Sequence, residues 1–201
     1  MEILTCESAV DEAVNVLKKP GSVLLVPTET VYGLVCAWGD ALGRSRIYAL
    51  KHRAENKPLA AFVPDLTALP QEAVLPESAR RVAERFCPGP VTLVVPDRNG
   101  GTFGFRIPDH PFLLRLLEVF GGALASTSAN LSGQPPACDI EYALRSIDGE
   151  PELVVDGGAL PPDSRASTVV RFFADSSWEI LREGPVSREQ IAGAACSGPE
   201  V

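Results

Sequence analysis

Histidine is scarce in this chain: His52 and His110 are the two present, and no HExxH spacing occurs. That argues against a histidine-built transition-metal centre. The five cysteines (Cys6, Cys36, Cys87, Cys138 and Cys196) are odd in number, scattered, and never spaced as CxxC. A disulfide framework and a zinc site are both disfavoured, and a reducing compartment fits. No apolar run approaches the length of a membrane span. The opening stretch MEILTCESAVDEAV is acidic and has no long apolar run, so no secretory signal is read there. The expected location is the cytoplasm, with no membrane partner. Positive charge is also in deficit: Lys and Arg total 18 against 26 Asp and Glu, a formal net charge of −8. Such a surface opposes non-specific nucleic-acid binding, which depends on neutralising phosphates. Any anion site must therefore be a local basic cluster. Internal repeats, low-complexity blocks and a GxSxG serine elbow are lacking as well.

Apolar material is plentiful. Hydrophobic residues make up 45% of 201 positions and charged residues 22%, enough for a sizeable core. Helical spacing is read at Val10, Ala13, Val14 and Leu17, with Ser8 as the cap and Pro20-Gly21 as the stop. A second helix fits 40–50, capped by Asp40, with Leu42, Ile47 and Leu50 inward. Further helices fit 77–86 (Val82 and Phe86 inward), 111–119 with proline in the first turn, 139–147, and a short stretch after Ser187. Compact apolar or β-branched runs predict strands at 22–26, 59–63, 91–95, 104–107, 123–126, 153–155, 168–172 and 178–181. The alternation implies an α/β or α+β domain with a central mixed sheet.

Six segments carry polar chemistry. Pro27-Thr28-Glu29-Thr30-Val31-Tyr32-Gly33-Leu34 ends a strand in hydroxyls, a carboxylate and a phenol. Such a turn can orient a small zwitterion, or simply cap the strand end. Lys51-His52-Arg53-Ala54-Glu55-Asn56-Lys57-Pro58-Leu59 places three cations where a polyphosphate could bind, or where a solvated charge run would lie. Arg106, on the short strand Gly104 to Ile107, needs an anion if it points inward. A substrate carboxylate would serve, and so would a protein carboxylate such as Asp109. His110 is read as a cap or packing residue. Ser126-Thr127-Ser128-Ala129-Asn130-Leu131-Ser132-Gly133 could cradle phosphate or ribose, or be an ordinary Ser/Asn turn. Ser167-Thr168-Val169-Val170 and Leu181-Arg182-Glu183-Gly184 are weak when taken singly.

Taken together, PTETVYGL, KHRAENKPL, PGPVTLVV, FRIPDHP, STSANLSG, STVV and LREG resemble the YrdC/TsaC family in order and spacing, from about Val23 to Gly184. The resemblance implies an α/β fold class: a single domain over 1–192, a twisted mixed β-sheet with flanking helices, and a large basic cavity. Residues 193–201 would form a flexible tail. It also implies threonylcarbamoyl-AMP synthesis from L-threonine, bicarbonate and ATP, with Mg²⁺ bound through the ATP phosphates and no metal held by the protein. By resemblance, Thr30, Arg106, Ser126 and Ser167 would hold threonine. Lys51, Arg53, Lys57, Thr102, Ser128, Asn130, Pro136 and Arg182 would line the nucleotide, with Lys51 and Arg53 acting in catalysis. The product would serve N6-threonylcarbamoyladenosine formation in tRNA, leaving tRNA and downstream transfer proteins open as partners. Longer members of the family often have histidine where this chain has Phe62, and this chain resembles the short, single-domain type. Two alternatives stay open: an RNA-binding module, and a carbamoyl-adenylate-forming domain of the hydrogenase-maturation kind.

Overall fold

The computed structural model describes residues 2–196. Its strands are β1 (Glu2–Thr5), β2 (Leu24–Val26), β3 (Gly33–Ala37), β4 (Ala60–Phe62), β5 (Val91–Pro96), β6 (Thr102–Arg106), β7 (Leu124–Ser128), β8 (Leu153–Asp156), β9 (Thr168–Phe172) and β10 (Trp178–Arg182). The helices are α1 (Val10–Leu17), α2 (Ala41–Leu50), α3 (Glu77–Phe86), α4 (Pro111–Phe120), α5 (Ile140–Arg145) and α6 (Arg188–Cys196). All the strands join one mixed sheet in the order β1, β8, β2, β3, β7, β4, β6, β5, β9, β10. The parallel neighbours are β1 with β8, β8 with β2, β4 with β6, and β5 with β9. The other neighbouring pairs are antiparallel.

Strand periodicity sorts the side chains onto two faces. One face carries Leu25, Leu34, Cys36, Ala125 and Val154 under Ile47 and Leu50 of α2 and Ala143 of α5. It continues as Ala61, Leu93, Phe105, Val170 and Phe172 under Val82 of α3 and Ile191 of α6. The register pairs of Ala61 with Ala125 and Phe105, and of Leu93 with Phe105 and Val170, confirm that this is one continuous face. The opposite face is covered over half its width. There Leu24, Val26, Val35, Leu124, Leu153 and Val155 pack under α1 and α4. Over β5, β6 and β9, and at Ala60 of β4 and Ser126 of β7, the same face lacks a helical cover among the described residues, and Ala60, Thr92, Val94, Gly104, Ser126 and Val169 line a hollow. A half-covered sheet therefore sets where a ligand can enter.

Local chemistry explains most of the helix ends. Asp40 caps α2 by accepting from the Leu42 N–H at 3.1 Å, and Asp139 caps α5 through the Tyr142 N–H at 2.7 Å. Pro111 opens α4, as its fixed φ allows.

Several expectations are corrected. Ser8 does not cap α1; its hydroxyl turns back to the Thr5 carbonyl at 3.3 Å, closing the turn after β1. Leu42 is 63% exposed, and the inward stripe of α2 is Gly43, Ile47 and Leu50 at i, i+4, i+7. Helix α6 continues to Cys196 with Ala195 buried, so 193–196 belongs to the packed structure rather than to a tail. The remainder of that expected tail, 197–201, lies outside the described residues. Strands β1 and β3 had no counterpart in the sequence reading. The four residues of β1 are mostly exposed, and β3 begins at the glycine of the PTETVYGL turn.

Candidate functional site

Two hollows open on the uncovered part of the sheet. The first encloses about 220 Å³ and is walled by Thr28 and Thr30 from the turn after β2, Phe62 from β4, Thr92 from β5, Arg106 from β6, and Ser126 from β7. Arg106 is its anchor. Nε donates to the Gly89 carbonyl at 3.1 Å, and Nη2 donates to Thr30 Oγ1 at 3.0 Å. Nη2 also meets Glu29 Oε1 at 2.6 Å. The guanidinium lies 5.7 Å from the Phe62 ring centre. The turn supplies an ordered hydroxyl chain. Thr28 accepts from the N–H groups of Thr30 (3.0 Å) and Val31 (3.1 Å) and donates to the Val31 carbonyl at 2.8 Å. Its one proton is then spent, so the 2.8 Å contact between Thr28 and Thr30 is donated by Thr30.

On the far wall, Ser167 meets the Thr92 hydroxyl at 2.8 Å. Arg182 donates to the Ser167 carbonyl from Nε (3.1 Å) and Nη2 (2.9 Å), and to its hydroxyl at 3.1 Å. Burial first, then the neighbouring Arg106 and Arg53, push the Arg182 pKa down. Three guanidiniums gathered around a single hollow can receive an anion, and two of them, Arg53 and Arg182, are partly dehydrated by burial.

The second hollow, about 270 Å³, is lined by Lys51, Arg53, Lys57, Ser128, Asn130 and Pro136 among others. It meets the first at Arg53, Ser128, Ala166 and Arg182, which line both. Arg53 is braced by its own loop, donating to the carbonyls of Lys57 and Pro58 at 3.0 Å each. Lys51 is 1% exposed, and its ammonium donates to the carbonyls of Ser128 and Asn130. Burial, and then Arg53, lower its pKa to about 7. The Asn130 amide donates to the carbonyls of Leu131 (2.9 Å) and Gln134 (2.8 Å), shaping the same loop.

The residues expected to hold threonine (Thr30, Arg106, Ser126 and Ser167) all line the first hollow. Of those expected at the nucleotide, Lys51, Arg53, Lys57, Ser128, Asn130, Pro136 and Arg182 line the second. Thr102 departs from that division and lies in the first. The ammonium of Lys51 is committed to backbone carbonyls of the 128–130 loop. The protein partner of Arg106 is Glu29 and not Asp109. His110 stands at the N-cap of α4 without a capping bond, and its Nδ1 is buried and unpartnered. Burial lowers its pKa. Thr92 and Ala166 were missed. Thr92 had a signal: it is the polar residue at an alternate position of the apolar strand Val91 to Val95.

The family model Sua5_yciO_yrdC, described as "Telomere recombination", matches residues 16–184. The chain belongs to this family. A threonylcarbamoyl-AMP synthase of Mus musculus is 39% identical over 183 residues, covering 83% of this chain and 64% of its own length. One of Bacillus subtilis is 32% identical over 201 residues, covering 94% and 57%. The crystal structure of Pyrococcus abyssi Sua5 complexed with L-threonine superposes with a TM-score of 0.86 at 28% identity, over 96% of this chain and 61% of that one. This Sua5/YciO/YrdC chain thus spans about three-fifths of the length of those relatives. Among its described residues, no helix is long and apolar enough to cross a membrane.

Proposed function

We propose that this site makes threonylcarbamoyl-AMP and pyrophosphate from L-threonine, bicarbonate and ATP. The observation that carries the reading is the junction of the two hollows at Arg53, Ser128, Ala166 and Arg182. One hollow has a buried arginine and hydroxyls suited to an amino-acid carboxylate. The other has cations and a polar loop suited to a nucleotide. The relatives named threonylcarbamoyl-AMP synthase, and the Sua5 structure holding L-threonine, support the same assignment.

The threonine carboxylate would pair with Arg106, while Thr30, whose proton goes to Thr28, accepts from Arg106 and holds the guanidinium in place. The amine of the substrate, once deprotonated, takes up bicarbonate and loses water, giving an N-carboxylate. An oxygen of that carboxylate attacks the α-phosphorus of ATP, and pyrophosphate leaves with the electron pair of the broken P–O bond. The attacking and leaving groups are all anionic, so guanidiniums at the junction can stabilise the charge gathered at phosphorus. No protein nucleophile enters. The side chains lining the two hollows are cations, hydroxyls, amides and apolar groups. Mg²⁺ would therefore take its ligands from the ATP phosphates and water, and it would neutralise part of the phosphate charge. The product suits transfer to adenosine in tRNA by partner proteins, and a cytoplasmic location would suit that role.

Pyrophosphate release is the test. Release that requires threonine and bicarbonate together, with no RNA added, supports the proposal. Release with carbamoyl phosphate in place of both would move the chain to carbamoyl-adenylate formation. Binding of RNA with no release under any of these conditions would make it a binding module.

A further inference from the structure

Tyr32 lines neither hollow, yet it belongs to one of the segments that build them and is bonded to two others. Its ring is fully buried. The phenol oxygen accepts from the Gly157 N–H at 3.0 Å and donates to the Gly158 carbonyl at 2.8 Å. Its own N–H donates to the Ala137 carbonyl at 2.9 Å, and its carbonyl accepts from the Ala129 N–H at 2.8 Å. The turn that carries Thr30, the 129–138 loop that carries Asn130 and Pro136, and the 157–166 segment that ends at Ala166 are thus laced through one residue. A further bond, from the Leu160 N–H to the Cys138 carbonyl at 2.7 Å, ties the last two segments together. Gly157 also fits against Pro27 so closely that an added Cβ would lie 2.7 Å from the proline Cβ and Cγ. Burial pushes the phenol up to about 12, which keeps its proton available to Gly158 at neutral pH.

We propose that Tyr32 is a positioning residue that sets the spacing between the amino-acid hollow and the nucleotide hollow. The inference rests on the reaction proposed above. In that reaction the N-carboxylate oxygen and the α-phosphorus must come within roughly 3–3.5 Å in line, while each ligand is gripped by its own hollow. Displacement of the 157–166 segment moves Ala166, which lines both hollows, without removing a group that grips either ligand. The loss therefore falls on turnover rather than on affinity.

Tyr32→Phe removes the two phenol bonds and keeps the ring. The expected result is a fall in kcat of at least tenfold. The separately measured Kd values for threonine and for a non-hydrolysable ATP analogue should change less than threefold. Amide exchange at Gly157 and Leu160 should speed up at least tenfold. A kcat within twofold of the parent, or Kd losses as large as the kcat loss, overturns the proposal. A merely structural role would lower Tm and leave kcat at 25 °C unchanged. Gly157→Ala pushes the same segment off Pro27 with the phenol intact, and it decides by the same split if Tyr32→Phe does not fold. If the parent chain releases no pyrophosphate, the reaction itself is refuted. The exchange measurement then still tests the lacing, and equal exchange in parent and variant overturns it.

Discussion

Glu29 and Arg106 form an ion pair of 2.6 Å in which the arginine side chain is 6% exposed and the glutamate 18%. The pair joins the turn after β2 to the end of β6. Among the described residues, Arg106 Nη1 makes no protein hydrogen bond, while Nε and Nη2 are both engaged. Arg106→Met should strand the Glu29 carboxylate and cost about 3–5 kcal/mol of stability. Adding Glu29→Gln to that variant should recover part of the loss, because the uncompensated charge is then gone. Urea denaturation of both single variants and the double variant measures the coupling, and strict additivity would show that the pair contributes nothing.

Lys51 carries a pH prediction. Its folded pKa of about 7 lies below the unfolded value near 10.5. Between those values the unfolded chain binds more protons, so this group's contribution to stability rises with pH, by at most about 1.4 kcal/mol per unit. Below pH 7 it is flat. Cys36 and Cys87, both raised by burial, titrate in the opposite sense at the alkaline end. The comparison is therefore parent minus Lys51→Met. That difference should climb between pH 7 and 9 and be level between pH 5.5 and 6.5.

Arg53 lines both hollows and is held by its own loop carbonyls. Removing it should leave the fold intact and take away charge where phosphorus reacts. Arg53→Ala is expected to lower the rate of pyrophosphate release by about 10²–10³, the effect of losing one preorganised electrostatic donor. A rate within threefold of the parent would dismiss the role.

Gly184 closes the LREG motif, and its backbone abuts the chain at Ala166 to Thr168, where β9 begins. An added Cβ would lie 2.3 Å from the Thr168 nitrogen and 2.6 Å from the Ala166 oxygen. These are backbone atoms, which cannot swing aside. Gly184→Ala should cost about 1–3 kcal/mol by overpacking. It should also weaken threonine binding, because Ser167 lies at the clash and is displaced. Calorimetry of threonine binding on the folded variant checks the second half.

Much of the fold is legible in local patterns. Asp40 and Pro111 mark helix starts through capping and φ preference, and runs such as Val91 to Val95 mark strands by composition. Strand β1 is not legible, because four mostly exposed residues become a strand only when β8 lies beside them. The site follows the same division. The motif residues sit together in the two hollows, but their partners do not follow from the sequence. Asp109 is near Arg106 in the chain, whereas Glu29 reaches it through the sheet. Nor does the KHR motif reveal that the Lys51 ammonium turns into the 128–130 backbone, since burial and direction arise from tertiary packing.

The half-covered sheet has a consequence for how such a chain can change. In β5 and β6, every second residue belongs to the core and the residues between belong to the hollow. Chemistry can be rewritten at Thr92, Thr102 or Gly104 by point substitution with the buried row untouched. A single inserted or deleted residue in either strand would turn core residues toward the ligand and ligand groups into the core. Variation among functional descendants of this scaffold should therefore come as substitutions of fixed parity in these strands, with length changes confined to the loops.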